Sequence, residues 1–150
     1  MREFVRLLVL LPVLGSVPLV AIGAEPCTNP VNSAEIAECG DRDAQAAEKE
    51  LNVVYQQVMK GLGRAESDFG KDFPNMKALQ LRANLIAAER EWLKYRAQSC
   101  KLEGQVVLSG NPSRGDFSGI AETACQAQFA RARVGELKRF AKIYDIQIDP

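Results

Sequence analysis

Histidine is absent from this 150-residue chain. That absence removes the usual general base for serine and cysteine nucleophiles, together with the commonest zinc ligand. Cysteine is sparse, and none of the four stands in a Cys-x-x-Cys pair. Zinc ribbons and dithiol redox chemistry therefore lack their usual frame. Neither a catalytic residue, a metal ligand nor a cofactor-binding residue is indicated, so the chain is not expected to be an enzyme. Charge of one sign is lacking too, because 19 basic residues balance 19 acidic ones. No net attraction toward nucleic acid or anionic lipid follows from the composition. Internal repeats and low-complexity tracts are also missing, which argues against a solenoid or an extended array.

What is present begins with a leader. Arg2 and Arg6 precede an apolar run from Leu7 to Leu14, and small residues gather at Ala21, Gly23 and Ala24. This is the layout of a secretory signal peptide over residues 1–24, with cleavage after Ala24 favoured over cleavage after Gly23. Pro12, Gly15, Ser16 and Pro18 interrupt the run, and no charged stop-transfer segment follows, so an uncleaved anchor is the weaker reading. Ala24, Glu25 and Pro26 ahead of Cys27 do not form the small-residue context of a lipoprotein cysteine. The mature protein is expected to be periplasmic or secreted from a bacterium, with no stable membrane insertion and no nucleic-acid partner. Losing Arg2, Glu3 and Arg6 leaves a formal charge of −1 on residues 25–150. A chain of that length suits one domain with one core.

An even cysteine count in an exported chain points to two disulfides among Cys27, Cys39, Cys100 and Cys125. Asn32 or Ser33 supplies a cap, and Ala47, Leu51, Val54, Tyr55, Val58 and Leu62 recur at three and four, predicting a helix over 34–62. Gly61 and Gly63 read as its stop. A polar connection over 64–74 leads to a second helix over 75–101 that carries Leu79, Ala83, Ile86, Trp92, Leu93 and Tyr95. Residues 104–115 read as a long loop with a brief strand-like piece at 106–108. Asp116 or Ser118 then caps a third helix over 119–144, with Ile120, Phe129, Val134, Leu137, Phe140 and Ala141 on its apolar side. The fold class is all-α: an antiparallel long-helix hairpin plus a third helix, a disulfide-stapled three-helix bundle.

A turn centred near residue 69 brings Cys39 level with Cys100, Asp43 with Arg96, Ala47 with Trp92 and Glu50 with Glu89. This favours Cys39 with Cys100 and Cys27 with Cys125, while the other pairings stay open because all four sulfurs converge on one end. At least one staple is expected to tie the first helix, or the segment before it, to the second or third helix. The facing Glu50 and Glu89 would be the only basis for a carboxylate-pair enzyme.

Glu38 with Cys39, then Leu51, Asn52 and Tyr55, then Glu89, Arg90, Trp92, Tyr95, Arg96 and Cys100, then Cys125 with Arg133 and Leu137, form a spaced pattern across almost the whole mature chain. The pattern resembles the N-terminal domain family of the lysozyme inhibitor LprI. The chain departs from it at Glu89, where the family usually has Gln, and in its leader, which lacks the lipoprotein context of the named member. The resemblance implies a binding protein that occludes lysozyme or another cell-wall hydrolase. The alternative is a structural or interaction module of the cell envelope with no hydrolase target.

The motif side chains also have packing explanations. Trp92, Tyr95 and Tyr55 are expected as core fillers with polar tips, Asn52 as a satisfier of interface polar groups, and Arg96 with Asp43 as a register-fixing ion pair. A basic stripe of Arg131, Lys138 and Lys142 with Arg139 marks the third helix. It complements that helix's dipole, or else meets an anionic partner such as a cell-wall polymer. Glu48, Glu50, Glu66, Asp68 and Asp72 make the hairpin's far end acidic, as would suit a basic lysozyme.

Overall fold

The computed structural model describes residues 27–110, 113 and 115–149, so the expected signal peptide and its cleavage site lie outside the described residues. Three helices follow in order, α1 (Ser33–Asp72), α2 (Leu81–Gly110) and α3 (Gly115–Ile143). Asn32 is the N-cap of α1, its Oδ1 accepting from the Glu35 N–H at 3.0 Å. Glu35 reaches back to accept from the Val31 N–H at 2.9 Å, which completes a reciprocal capping box.

The period of three and four survives in α1, where Ala47, Leu51, Val54, Val58 and Leu62 are buried. Their partners are Ala127, Ala130, Val134, Leu137 and Ala141 of α3. Alanines on both sides let these two backbones approach closely. Because α3 runs antiparallel to α2, it lies parallel to α1. Asp43 pairs with Arg131 and Glu50 with Lys138, an equal offset of 88 residues both times. α3 packs broadly on both other helices, whereas α1 and α2 meet along a narrow line.

Several expected boundaries move. α1 continues to Asp72, and Gly61 is a site of close approach rather than a stop: a Cβ there would collide with Ile146 of the C-terminal tail. The tail turns back after α3 through Asp145, a non-glycine residue at φ 52, with the Ile146 N–H donating to the Ala141 carbonyl at 2.8 Å. Within the expected loop at 104–115, residues 104–110, the strand-like piece at 106–108 included, are the last turns of α2, and Gly115 begins α3. Gly104 is buried there, and a Cβ on it would lie 2.9 Å from the Ser118 carbonyl oxygen. α3 starts at Gly115, so Asp116 and Ser118 sit within its first turn instead of ahead of it.

The longer α1 also shifts the hairpin register. Arg96 meets Glu48, not Asp43, and Arg82 meets Glu66. The expected levels of Ala47 with Trp92 and of Cys39 with Cys100 move with them, because the turn occupies 73–80 instead of centring on 69. On α2 only Cys100 and Gly104 are buried. Leu93 and Tyr95, expected in the core, are exposed, as are Leu79 and Ala83.

The staples join Cys27 to Cys39 and Cys100 to Cys125. This overturns the favoured pairing, and with it the expectation that a disulfide would tie α1 or its leading segment to another helix. One bridge closes the segment before α1 onto α1, and the other closes α2 onto α3. Each links cysteines brought together by a local turn, with sequence separations of 12 and 25. Both lie toward the same end of the bundle, since a Cβ on Gly40, beside Cys39, would stand 3.9 Å from Thr123, two residues from Cys125.

Candidate functional site

The motif residues separate into three places. The first is a charged girdle where all three helices meet. Arg133 of α3 donates from Nε and Nη2 to Glu89 Oε2 at 3.0 and 2.8 Å, and from Nη1 to Glu136 Oε2 at 2.9 Å. The Arg133 and Glu89 side chains are only 16% and 13% exposed. Trp92 lies one turn along α2 from Glu89, packs against the core cluster, and carries Arg96 Cζ 4.8 Å and Arg133 Cζ 5.6 Å from its ring centroid. Its negative ring face attracts both cations. Arg96 reaches on to Glu48 of α1.

Electrostatics in the girdle follow from this packing. Burial opposes the Arg133 charge, but hydrogen bonds to Glu136 and Glu89 outweigh it and hold the guanidinium above its ordinary pKa. Burial also raises the Tyr55 phenol, helped by the Glu89 charge and opposed by Arg90. Leu51 and Leu137 lie in the core beside this layer. The girdle ties three helices at one level. With Trp92 filling its middle, its charges are turned on one another.

The second place is the outer surface. Tyr95 is 63% exposed and meets Phe129 edge-on at 5.7 Å, so it is a surface aromatic on the α2–α3 seam. Asp43 is exposed and bonds Arg131. Asn52 is exposed, lines an open groove of about 620 Å³ with Asp41, Glu48 and Thr123, and bonds no interface group among the described residues.

The third is the stapled pole. The bridge from Cys27 to Cys39 and the Asn32 capping box hold an exposed loop at 27–32 against α1. A groove of about 300 Å³ there is lined by Thr28, Asn29, Pro30, Glu35, Glu38 and Arg42. Cys100 and Cys125 are buried beneath the same pole.

Both charge patches expected from the sequence are largely consumed internally. Glu48, Glu50, Glu66 and Asp68 bond Arg96, Lys138, Arg82 and Lys71. Arg131 and Lys138 of the basic stripe are likewise engaged, leaving Arg139 and Lys142 outside any ion pair among the described residues. Glu50 and Glu89 bond cations in different places, so they do not face each other as a carboxylate pair. Sequence reasoning missed the Glu89–Arg133 bridge although both residues stand in the motif. Glu66 was missed as well: it accepts from the Arg82 N–H at 3.0 Å and caps α2 from a neighbouring helix. Spacing along one chain holds no signal for either, because each depends on the offset between helices.

Comparison with known proteins identifies a family. The family profile described as "Lysozyme inhibitor LprI" matches residues 26–137. An uncharacterized protein of Rhizobium meliloti (strain 1021) is 32% identical over 122 residues, which is 81% of this chain and 83% of that protein. No solved structure matches. The chain belongs to the lysozyme inhibitor LprI family.

Proposed function

We propose that residues 25–150, released from a signal peptide over 1–24 into the periplasm or the medium, form a single domain that inhibits a cell-wall hydrolase by covering its cleft. The observation that carries this reading is the family match over residues 26–137. The architecture supports it: two disulfides suit an oxidising compartment, and stapled helices present a surface with little ordering cost on binding. The protein acts by binding, not by turnover.

Carboxylates that pair with an enzyme's basic rim have to be ones the chain leaves open. Asp41, Glu103 and Glu122 are outside any ion pair among the described residues and stand together at the stapled pole around Thr123 and Gly104, whereas at the far end of the hairpin Asp72 alone of the expected acidic patch is left open. The occluding face is therefore this pole, not the far end of the hairpin. The test is lysis of a cell-wall substrate by c-type and g-type lysozymes with the purified protein added. Stoichiometric slowing by the wild type, relieved by Asp41→Lys with Glu122→Lys in a folded variant, is the expected result. Undiminished lysis by both enzyme classes would reject the reading.

The second reading, an envelope interaction module, is favoured by one feature: Tyr95, Leu102 and Val106 form an exposed apolar stripe on α2. It predicts envelope partners captured through that stripe with no effect on lysis.

A further inference from the structure

The α1–α2 hairpin extends past the bundle. Leu62 is the last buried residue of α1, yet the helix runs ten residues further to Asp72, about 15 Å at 1.5 Å per residue. No residue from 63 to 80 is buried. What the projection carries at its end is apolar. Phe73 is 50% exposed, Met76 60% and Leu79 38%. The turn is ordered: the Phe73 N–H donates to the Phe69 carbonyl at 2.8 Å, the Met76 N–H to the Phe73 carbonyl at 3.0 Å, and the Phe69 and Phe73 rings lie 5.0 Å apart.

Cations surround the base of this tip. A groove of about 550 Å³ along the α1–α2 seam is lined by Lys60, Arg64, Lys71 and Arg82, with Asp68 as its one carboxylate. Lys71 bonds Asp68 and Arg82 bonds Glu66. Lys60 and Arg64, one turn apart on α1, hold no carboxylate among the described residues. Lys77 adds a charge within the turn itself. Between residues 60 and 82, five cations thus stand against three carboxylates in a protein whose overall charge is close to zero.

We infer that this projection is a membrane-docking device that lies peripherally along an anionic phospholipid surface, Phe73, Met76 and Leu79 entering the headgroup boundary while Lys77 in the turn, and Lys60 and Arg64 on one face of α1 about 13 to 20 Å short of Phe73, meet lipid phosphates. Apolar side chains at the end of a stripe in which Lys and Arg outnumber carboxylates, Asp72 beside Phe73 included, are the composition that the interface rewards, because acyl burial and surface potential act together. Charge decides against the other occupants. A basic hydrolase is repelled by the excess of cations, and so is the same tip of a second copy. No helix among the described residues is long and apolar enough to cross a membrane, so the contact is peripheral. The inference goes beyond hydrolase inhibition and stands without it.

The test is co-sedimentation of the mature protein with vesicles of phosphatidylcholine alone or mixed with phosphatidylglycerol, at low and high salt. Binding to the anionic vesicles only, weakening with salt, is expected. Phe73→Ser with Met76→Ser and Leu79→Ser is expected to weaken it about tenfold or more, and Lys60→Gln with Arg64→Gln to weaken it severalfold, both with unchanged circular dichroism. The tip lies outside the core, so these variants should fold. Equal binding to neutral vesicles, no vesicle binding, or a triple variant that binds as the wild type does would overturn the inference. Saturable binding of inorganic phosphate without vesicle binding would overturn it in favour of a small-anion site. Self-association abolished by the triple variant, without vesicle binding, would overturn it in favour of a second copy.

Discussion

Trp92 is a family motif residue that packs against the core cluster at the level where the three helices meet. It is held between Arg96 and Arg133, each of which bonds a carboxylate from another helix or the facing one. Trp92→Ala is expected to cost about 3 kcal/mol, through lost burial and two lost cation contacts, and to abolish binding only by loosening the fold. Urea unfolding checks it; a fully stable variant that loses inhibition would make Trp92 a binding anchor instead. Glu89 accepts two N–H groups from Arg133 on one oxygen. Glu89→Gln keeps an acceptor and is expected to cost about 1 kcal/mol, whereas Glu89→Ala leaves two N–H groups of a mostly buried guanidinium without their acceptor, Glu136 keeping only the third, and is expected to cost about 3 kcal/mol. Equal losses in the two variants would show that the charge-assisted contact is unimportant. The type of each motif residue was legible in the sequence, but its partner was not: Asp43 and Glu48 are equally plausible mates for Arg96 until the helix offset is known.

Helix ends and staples are decided at the scale of elements. Two glycines near residue 62 look like a stop because glycine costs only about 1 kcal/mol within a helix and is common just past its end. Tertiary contact overrides that small preference, since Gly61 is needed where Ile146 packs and Gly104 where α3 crosses. Gly104→Ala improves helix propensity, yet it is expected to destabilise by about 1–3 kcal/mol, because the obstructing atom is the Ser118 backbone oxygen. A higher melting temperature would contradict that packing.

Glu66 gives the start of α2 a pH dependence. Hydrogen bonds from the Arg82 N–H and then its guanidinium hold the carboxyl below its ordinary value of 4.5. The unfolded chain therefore takes up this proton first. The contribution to stability is complete above about pH 4.5 and is lost as pH falls through the lowered folded value. Melting temperatures measured from pH 6 to pH 3 should fall less steeply in Glu66→Gln than in the wild type; parallel curves would exclude the cap. The disulfides divide similarly by element. In the chain-entropy account, loops of these lengths contribute about 3 kcal/mol each. Removing Cys100 and Cys125 together is expected to lower global stability by roughly that amount, while removing Cys27 and Cys39 loosens chiefly the loop at 27–32. Non-reducing peptide mapping that recovers Cys39 joined to Cys100 would refute this connectivity.

For the whole molecule, formal neutrality conceals two poles of opposite character. Asp41, Glu103 and Glu122 stand open at the stapled end, and toward the apolar tip five cations stand against three carboxylates between residues 60 and 82. If the acidic pole meets a basic enzyme, inhibition of lysis is expected to weaken by severalfold between low salt and about 0.5 M, as long-range steering is screened. Inhibition indifferent to salt would place the contact on the apolar stripe of α2. A rigid bundle with its poles at opposite ends would let one end face a membrane while the other faces the wall.

The all-α class, the buried face of α1, a cap at Asn32 or Ser33 and the use of four cysteines in two staples were determined by the sequence alone. The helices, their buried face and the cap depend on neighbours within about two turns, where periodicity and capping chemistry act directly, and the staples follow from an even cysteine count. The length of α1, the connectivity of the staples, the partners of Asp43, Glu48, Glu89 and Arg96, and the exposure of Tyr95 were decided by the tertiary structure. These follow from how far one helix slides along another. A turn displaced by a few residues changes every cross-helix pair while leaving each helix's own pattern intact.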